Sequence, residues 1–232
     1  MPVHHDGQLF MFKNIICERA RLTDTETKTM PYSPEHRQAT RQRIVAAARR
    51  LFNGQGFSRV TIEQIMAEAQ LTRGGFYHHF DNKEALLAEV IATYATCNPL
   101  AVEAARDPAR FSDARVLARR LVDLYLSDRV CDTVELHCPL YALPSDALHA
   151  EGLSREAYTG LIRGITDVLR AALAGQDGAD DRAQAILALC VGGMVLAKTV
   201  LDSGLRQTLR AAAHAQAVRL LEERALIPEA AL

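Results

Sequence analysis

Apolar side chains recur at intervals of three and four residues along most of the chain, which is the spacing of amphipathic helices. The first stripe consists of Ile44, Val45, Ala48, Leu51 and Phe52. Ser33 and Pro34 suit the N-cap and first position of a helix, and two glycines follow the stripe, so the pattern predicts a helix from about Pro34 to Asn53. No segment shows the strict alternation of a half-buried strand, so the sequence predicts an all-α fold.

Two short helices are predicted next. Thr61 and Gln64 have the spacing of a capping box, in which each side chain bonds the backbone N–H of the other, and this helix extends to about Ala69. Thr72 is a favourable N-cap after a tight turn, and the segment from Arg73 to His79 is long enough for two helical turns. These elements follow the order of a helix-turn-helix motif: a long helix, a short helix, a turn and another short helix.

The rest of the chain continues the helical pattern. Asp81 and Glu84 have the form of a second capping box, before a long helix through Tyr94. Residues 130–152, with two prolines, are the least regular part. Further amphipathic helices are predicted around Leu117–Tyr125, around Tyr158–Leu169 with Ser154 as its cap, over Asp181–Leu201, and over Leu205–Glu223.

Composition places the chain among ordinary globular proteins, but its charge is unevenly distributed. The 232 residues include 49% apolar residues, 27 Lys and Arg, and 28 Asp and Glu. Residues 33–83 hold eight bases and four acids, a formal charge of +4, whereas residues 84–232 have a formal charge of −5. A basic module joined to an acidic body indicates a polyanionic partner for the module, although a solvated helix face gives the same statistics.

Other features indicate a cytoplasmic protein. The longest run without charged or strongly polar residues, Ala185 to Ala197, has 13 residues, fewer than the ~20 needed to span a bilayer, so no membrane partner is expected. The five cysteines are scattered and include no CxxC pair, which favours a reducing compartment. Residues 1–32 show no coherent apolar face and are predicted to be a flexible extension.

The helix-turn-helix pattern predicts contacts with double-stranded DNA. Arg73 lies on the first turn of the third helix, from which a side chain reaches base edges in the major groove and can bind guanine at O6 and N7. Gly74 and Gly75 are poor helix formers, and a close approach of backbone to DNA would explain them, as would tight helix packing. Hydrogen-bond donors to phosphate are predicted at Thr61, Thr72, Tyr77, His78, His79 and Lys83.

At this point a family resemblance is visible. Ile44 to Leu87 resembles the DNA-binding domain of the TetR family of bacterial regulators: an LF pair, a GxGF turn, a TxxxI helix, a GxFYxHF segment and an NKExL helix occur in order. The resemblance implies base contacts by Arg73 and Gly74 and backbone contacts by the six donors named above. It also implies a small core of Leu51, Phe52, Phe57, Ile62, Ile65, Leu71, Phe76 and Phe80.

The family further implies a helix-turn-helix domain, here residues 33–82, joined to a helical effector-binding and dimerisation domain, here residues 83–232. Such proteins form homodimers through the last two helices and bind a two-fold symmetric operator. The dimer interface is predicted at Leu187, Val191, Met194, Leu209, Ala212 and Ala213. Effector pockets are mostly apolar with a few polar groups, which favours Tyr94, Leu121, Leu124, Tyr125, Cys138, Tyr141, Tyr158 and Ile162.

Alternative chemistry centres on Cys138. With His137 beside it, this cysteine could act as a thiolate that senses oxidants or electrophiles, or it could be an inert buried residue. A metal site built from Cys131, His137, Cys138 and His149 fits no zinc-binding spacing, and no metal or cofactor is predicted. An enzyme is not expected, because no phosphate-binding loop or nucleophile elbow is present.

The sequence therefore predicts a ligand-responsive, homodimeric transcriptional repressor that a small molecule releases from its operator. A thiol-based sensor using Cys138 and a helical dimeric scaffold without DNA binding remain the alternatives.

Overall fold

The protein is described by a computed structural model covering residues 34–223. Within this range it has eleven α-helices, three short 3₁₀ helices and no strand. The predicted extension over residues 1–32 and the Ser33 cap lie outside the described residues. The α-helices are α1 Pro34–Gln55, α2 Ile62–Glu68, α3 Lys83–Cys97, α4 Pro99–Arg106, α5 Ala114–Tyr125, α6 Asp128–Asp132, α7 Pro139–Ala142, α8 Pro144–His149, α9 Gly152–Ala172, α10 Ala179–Thr199 and α11 Ser203–Glu222.

The first helix ends at a glycine, as the sequence predicted. Gly56 has φ +84°, a backbone conformation that glycine adopts without steric cost, and its N–H donates to the Phe52 carbonyl at 2.8 Å. The helix extends two residues beyond the predicted end at Asn53 because Gly54 stays helical.

One predicted capping box is confirmed and the other is wrong. Before α2, the Thr61 hydroxyl oxygen accepts from the Gln64 N–H, and the Gln64 side chain accepts from the Thr61 N–H. Before α3 the cap is Asn82, whose side chain accepts from the Ala85 N–H at 2.7 Å, rather than Asp81. Asn and Asp cap equally well, so their order alone did not decide which residue begins the helix.

The body is a helical bundle in which α9 packs against α3, α5 and α10. Ser154 does not cap α9: this helix begins at Gly152, and the buried Ser154 hydroxyl donates to the Glu84 carbonyl, joining α9 to α3. The irregular region predicted over residues 130–152 consists of the short helices α7 and α8, the end of α6, and a 3₁₀ turn over Val134–Leu136.

The last two helices, α10 and α11, form a closely packed pair. A Cβ built on Gly193 would lie 2.6 Å from the Ala213 Cβ, so the helices touch through their backbones at this point. Apolar residues of α10 face the interior, including Ile186, Cys190 and Met194.

Two helical stretches satisfy the length and composition of a membrane span, contrary to the sequence-based expectation. They are Lys83–Arg106, which Asn98 divides into α3 and α4, and Ala179–Thr199. The buried residues of α3 and α10 belong to the hydrophobic core, and core helices of globular bundles meet the same criterion.

Candidate functional site

The third helix of the predicted motif is present, but it is a 3₁₀ helix, Arg73–His78. The Gly75 N–H bonds the Thr72 carbonyl and the His79 N–H bonds the Phe76 carbonyl, both three residues back. Short helices are often 3₁₀, and Gly74 and Gly75 lower the propensity of the segment for an α-helix. Phe76 and Phe80 are buried, as predicted, in the helix-turn-helix region of residues 34–82, called the head below, and the intervening Tyr77 is 58% exposed.

The glycines of this helix are not required by packing. A Cβ at Gly74 would meet nothing within 4 Å, and one at Gly75 would make only an ordinary 3.6 Å contact with Met66. Neither glycine has a positive φ. Internal packing and backbone conformation therefore leave Gly74 unexplained, and the open space at its Cα suits a close external partner.

Arg73 is exposed and lies beside the start of α2. Its Nε is 2.9 Å from Glu63 Oε1 in an exposed ion pair. The pKa of Glu63 is lowered, chiefly by its own backbone N–H, and further by the Thr61 hydroxyl and by Arg73. Thr61, Glu63 and Arg73 thus bring the starts of both short helices to one edge of the head. The Thr72 hydroxyl makes no capping bond there.

Arg41 of α1 holds the end of the 3₁₀ helix in place. The Arg41 guanidinium bonds the His79 carbonyl, pairs with Glu89 of α3, and lies 4.1 Å above the Phe80 ring. Partial burial, and then the nearby charge of Arg41, lower the pKa of His79. His78 is exposed, whereas His79 is half-buried, so His78 is the more accessible of the two predicted phosphate contacts.

Lys83 has a structural task that the sequence did not reveal. Its ammonium donates to the Phe57 carbonyl at 3.0 Å and the Val60 carbonyl at 2.9 Å, and lies 4.2 Å from the Phe57 ring centroid. Two of its three donors therefore hold the loop between α1 and α2. The predicted contact between Lys83 and phosphate stays a prediction, now limited to the third donor.

Most of the basic segment is paired internally. Arg50 pairs with Glu68, while Arg43 and Arg49 donate to the Ala69 carbonyl and the Thr93 hydroxyl. Arg37 and Arg59 are exposed and have no hydrogen bond or ion pair within residues 34–223. Sequence reasoning counted all eight bases toward the positive charge of the segment, because nothing in the spacing shows which ones have internal partners.

The head and body are joined at the end of α1. The Asn53 side chain donates to the carbonyls of Val134 and His137, at 3.1 and 3.2 Å. In the following loop, the Phe57 N–H donates to the Asp146 carboxylate of α8 at 3.2 Å. The irregular segment of the body therefore contacts the loop that Lys83 holds.

The predicted thiol sensor is not favoured by the geometry at Cys138. The thiol is fully buried, and burial raises its pKa to about 11, so the reactive thiolate is scarce at neutral pH. His137 does not act as its base: the imidazole Nε2 lies 3.1 Å from the Cys131 carbonyl oxygen. Among residues 34–223 no three His, Cys, Asp or Glu side chains form a group able to hold a metal ion.

The predicted effector residues separate into a buried cluster and a groove. Tyr94, Leu121, Leu124, Tyr125, Cys138 and Tyr141 are buried in the core. The Tyr125 and Tyr141 rings are 5.6 Å apart, and within residues 34–223 neither buried hydroxyl makes a hydrogen bond of standard geometry. Tyr158 and Ile162 instead line an open groove of about 500 Å³ between α9 and α10, whose other apolar walls are Leu140, Leu187 and Val191.

The predicted interface residues also divide. Met194 and Ala213 are buried inside the chain, where α10 meets α11, so they cannot form a surface for a second copy. Leu187 is nearly buried, Val191 and Leu209 are half-buried, and Ala212 is exposed. Helical periodicity identified apolar residues but could not show which of them another helix of the same chain covers.

Comparison with known proteins identifies the head. A profile described as "Bacterial regulatory proteins, tetR family" matches residues 44–90. The Transposon Tn10 TetC protein of Escherichia coli is 42% identical over 57 residues, which are 25% of this chain and 29% of that relative. The alignment thus spans less than a third of the relative's length.

Solved structures share the fold of the whole described chain. A TetR transcriptional regulator from Chloroflexus aurantiacus superimposes with a TM-score of 0.65 at 23% identity, covering 82% of this chain and 98% of the other. A complex of SmeT with triclosan gives 0.55 at 22% identity, covering 84% and 100%. Residues 44–90 thus match the tetR family model, and the described chain shares its overall fold with these solved regulators.

Proposed function

We propose that the protein is a sequence-specific, DNA-binding transcriptional regulator that acts as a homodimeric repressor. The observation that carries the proposal is the exposed edge of the head, where Thr61, Arg73, Gly74 and Tyr77 have open surroundings while Phe76 and Phe80 anchor the helix from within. Helix starts that offer N–H groups suit phosphates, and an arginine on a first turn suits a guanine edge.

A second copy of the chain is proposed to pack on the exposed side of α10 and α11. Leu196 and Leu205 are about half exposed, and Leu201 between the helices is 99% exposed. Exposed leucines on helices that also present a small exposed residue, Ala212, are typical of a self-complementary interface. A two-fold pair would place the two heads on successive faces of the major groove, about 34–36 Å apart or a multiple of that distance.

A small-molecule effector is proposed to bind in the body and to weaken DNA binding. The groove between α9 and α10 combines apolar walls with polar and charged side chains, among them Arg163, Thr166 and Asp167, and the core of the body holds two buried tyrosine hydroxyls. SmeT, a structural relative, was solved with triclosan bound. The hydrogen bonds of Asn53 and Asp146 connect the body to the head, so a change in the body can alter the position of the DNA-binding surface.

The test is a gel shift of the full chain on the DNA upstream of its own gene, repeated at rising salt, with footprinting of the bound fragment. We expect two symmetric half-sites and an affinity that falls steeply with salt. Arg73→Ala should cost about 1–3 kcal/mol on the cognate site and reduce specificity.

The matched control is Arg59→Ala, which removes another exposed arginine of the basic segment, so any loss of affinity should be the same on cognate and scrambled DNA. If micromolar wild-type protein shifts no fragment, the scaffold alternative is preferred. If both variants lose the same affinity on both DNAs, Arg73 does not read a base.

A further inference from the structure

The ion pair between Arg73 and Glu63 uses only one side of the guanidinium. The contact joins Arg73 Nε to Glu63 Oε1 at 2.9 Å, and the side chains stay 67% and 50% exposed. The two terminal amino groups of Arg73 have no hydrogen bond within residues 34–223. These are the two groups that an arginine presents in its fork toward a planar acceptor pair such as guanine O6 and N7.

We propose that Glu63 is a positioning residue that determines specificity, because it orients the Arg73 fork toward guanine and opposes its use on phosphate. The proposal rests on the proposed function, since it concerns how the same edge of the head selects a base. The ion pair keeps the guanidinium beside the start of α2 before DNA arrives, so less side-chain freedom is lost when the base is bound.

The charge of Glu63 supports the second part of this role. Its carboxyl lies in the first turn of α2, near Thr61, and its pKa is lowered by its own N–H, by the Thr61 hydroxyl and by Arg73, so it is ionised at neutral pH. An anion at an edge that approaches the DNA backbone repels phosphate whatever the sequence. On a site with guanine opposite Arg73, the contact between arginine and base offsets this repulsion. On any other sequence the repulsion is not offset, so the carboxylate lowers the affinity for DNA that lacks the guanine.

The same helix provides a matched control. Glu68 of α2 also pairs with an exposed arginine, Arg50, but it binds both Nε and Nη2, at 3.0 and 2.8 Å. That pairing occupies the fork instead of leaving it free. Removing Glu68 therefore changes the net charge by the same amount as removing Glu63 without altering a base-contacting arginine.

The experiment compares wild type, Glu63→Ala, Glu63→Gln and Glu68→Ala. Each full-length protein is titrated with a duplex that wild type selects from a random library and with a scrambled duplex of equal composition, at several salt concentrations. For Glu63→Ala we expect tighter binding to scrambled DNA, a roughly tenfold lower ratio of cognate to scrambled affinity, and a steeper salt dependence by about one phosphate contact.

Glu63→Gln removes the charge but keeps a polar side chain of the same size beside Arg73, so it should retain part of the ratio, whereas Glu68→Ala should leave the ratio at the wild-type value. Equal ratios for Glu63→Ala and Glu68→Ala would overturn the proposal, since the effect would then be one of net charge. An unchanged salt dependence in Glu63→Ala would overturn the claim that the carboxylate keeps Arg73 from phosphate. If wild type selects no sequence, it is the proposed function that fails.

Discussion

At the scale of single residues, two charged side chains of the head stabilise the fold instead of being free to bind a ligand. Arg41 and Lys83 belong to the basic segment, yet both bond backbone carbonyls and lie against aromatic rings. An ammonium or guanidinium in such a position contributes to stability through charge-assisted hydrogen bonds and contacts with the ring face.

Replacing Lys83 with Met should therefore lower the stability of the protein. Methionine keeps most of the apolar stem but leaves the Phe57 and Val60 carbonyls without their donor. We expect a loss of about 1 kcal/mol, at the lower end for hydrogen bonds to charged groups because the site is partly exposed. Chemical denaturation followed by circular dichroism measures it.

Arg59→Met is the control, since Arg59 is exposed and has no partner within residues 34–223, and its stability should change by less than about 0.5 kcal/mol. If Lys83→Met were as stable as wild type and yet bound DNA less tightly, phosphate contact rather than loop support would be the main task of Lys83.

At the scale of helices, close contact between α10 and α11 depends on one glycine. The space at Gly193 is filled by Ala213, and Leu126 Cδ2 lies 3.2 Å from the position of an added Cβ. Because the obstructing Ala213 Cβ cannot rotate away, the helices themselves would have to separate to admit a methyl group.

Gly193→Ala should therefore destabilise the protein by about 1–3 kcal/mol, the usual cost of overpacking. The control is Gly160→Ala in α9, where an added Cβ meets nothing within 4 Å, and where alanine should stabilise the helix by about 0.5–1 kcal/mol. Thermal unfolding of both variants provides the comparison. Stabilisation by Gly193→Ala would show that the two helices are not in such close contact.

Helix positions were predictable where the signal is local, and less so where it depends on distant residues. Thr61 and Gln64 lie three residues apart, and their capping box formed as predicted. Ser154 also resembled a cap, but its hydroxyl bonds Glu84, 70 residues away. Met194 and Ala213 were assigned to a surface because a helical stripe does not identify the helix that covers it.

The candidate site also has features that a local sequence pattern predicted and features that it did not. The anchoring role of Phe76 and Phe80 follows from their four-residue spacing, and both are buried. The ion pair of Glu63 with Arg73 was not predicted, because an acid in the first turn of a helix is already explained by the helix dipole. No local pattern reveals that Cys138 is fully buried among tyrosines of other helices.

At the scale of the whole molecule, a buried histidine links stability to pH. His137 is almost fully buried, and its pKa is lowered, mainly by burial, with the Lys198 charge adding to the effect. The unfolded chain then binds a proton more readily than the folded one between the lowered pKa and the ordinary value near 6.5. Stability should therefore fall as the pH is lowered from about 7.5 to about 5.5.

His137→Gln should reduce this pH dependence, because glutamine does not titrate and can still donate to the Cys131 carbonyl. The measurement is the free energy of unfolding of both proteins by denaturant at several pH values across that range. A variant whose stability falls as steeply as that of wild type would assign the effect to other groups, such as His79, whose pKa is also lowered.

The joint between the head and the body has a consequence for any exchange of the head. Asn53 and the Phe57 amide belong to the head, but their acceptors, the carbonyls of Val134 and His137 and the Asp146 carboxylate, belong to the body. A replacement head without donors at these two positions would leave the acceptors unmatched, and an unmatched acceptor costs stability. The head of this chain is therefore not an interchangeable unit, because any substitute must bring donors that meet the carbonyls of Val134 and His137 and the Asp146 carboxylate.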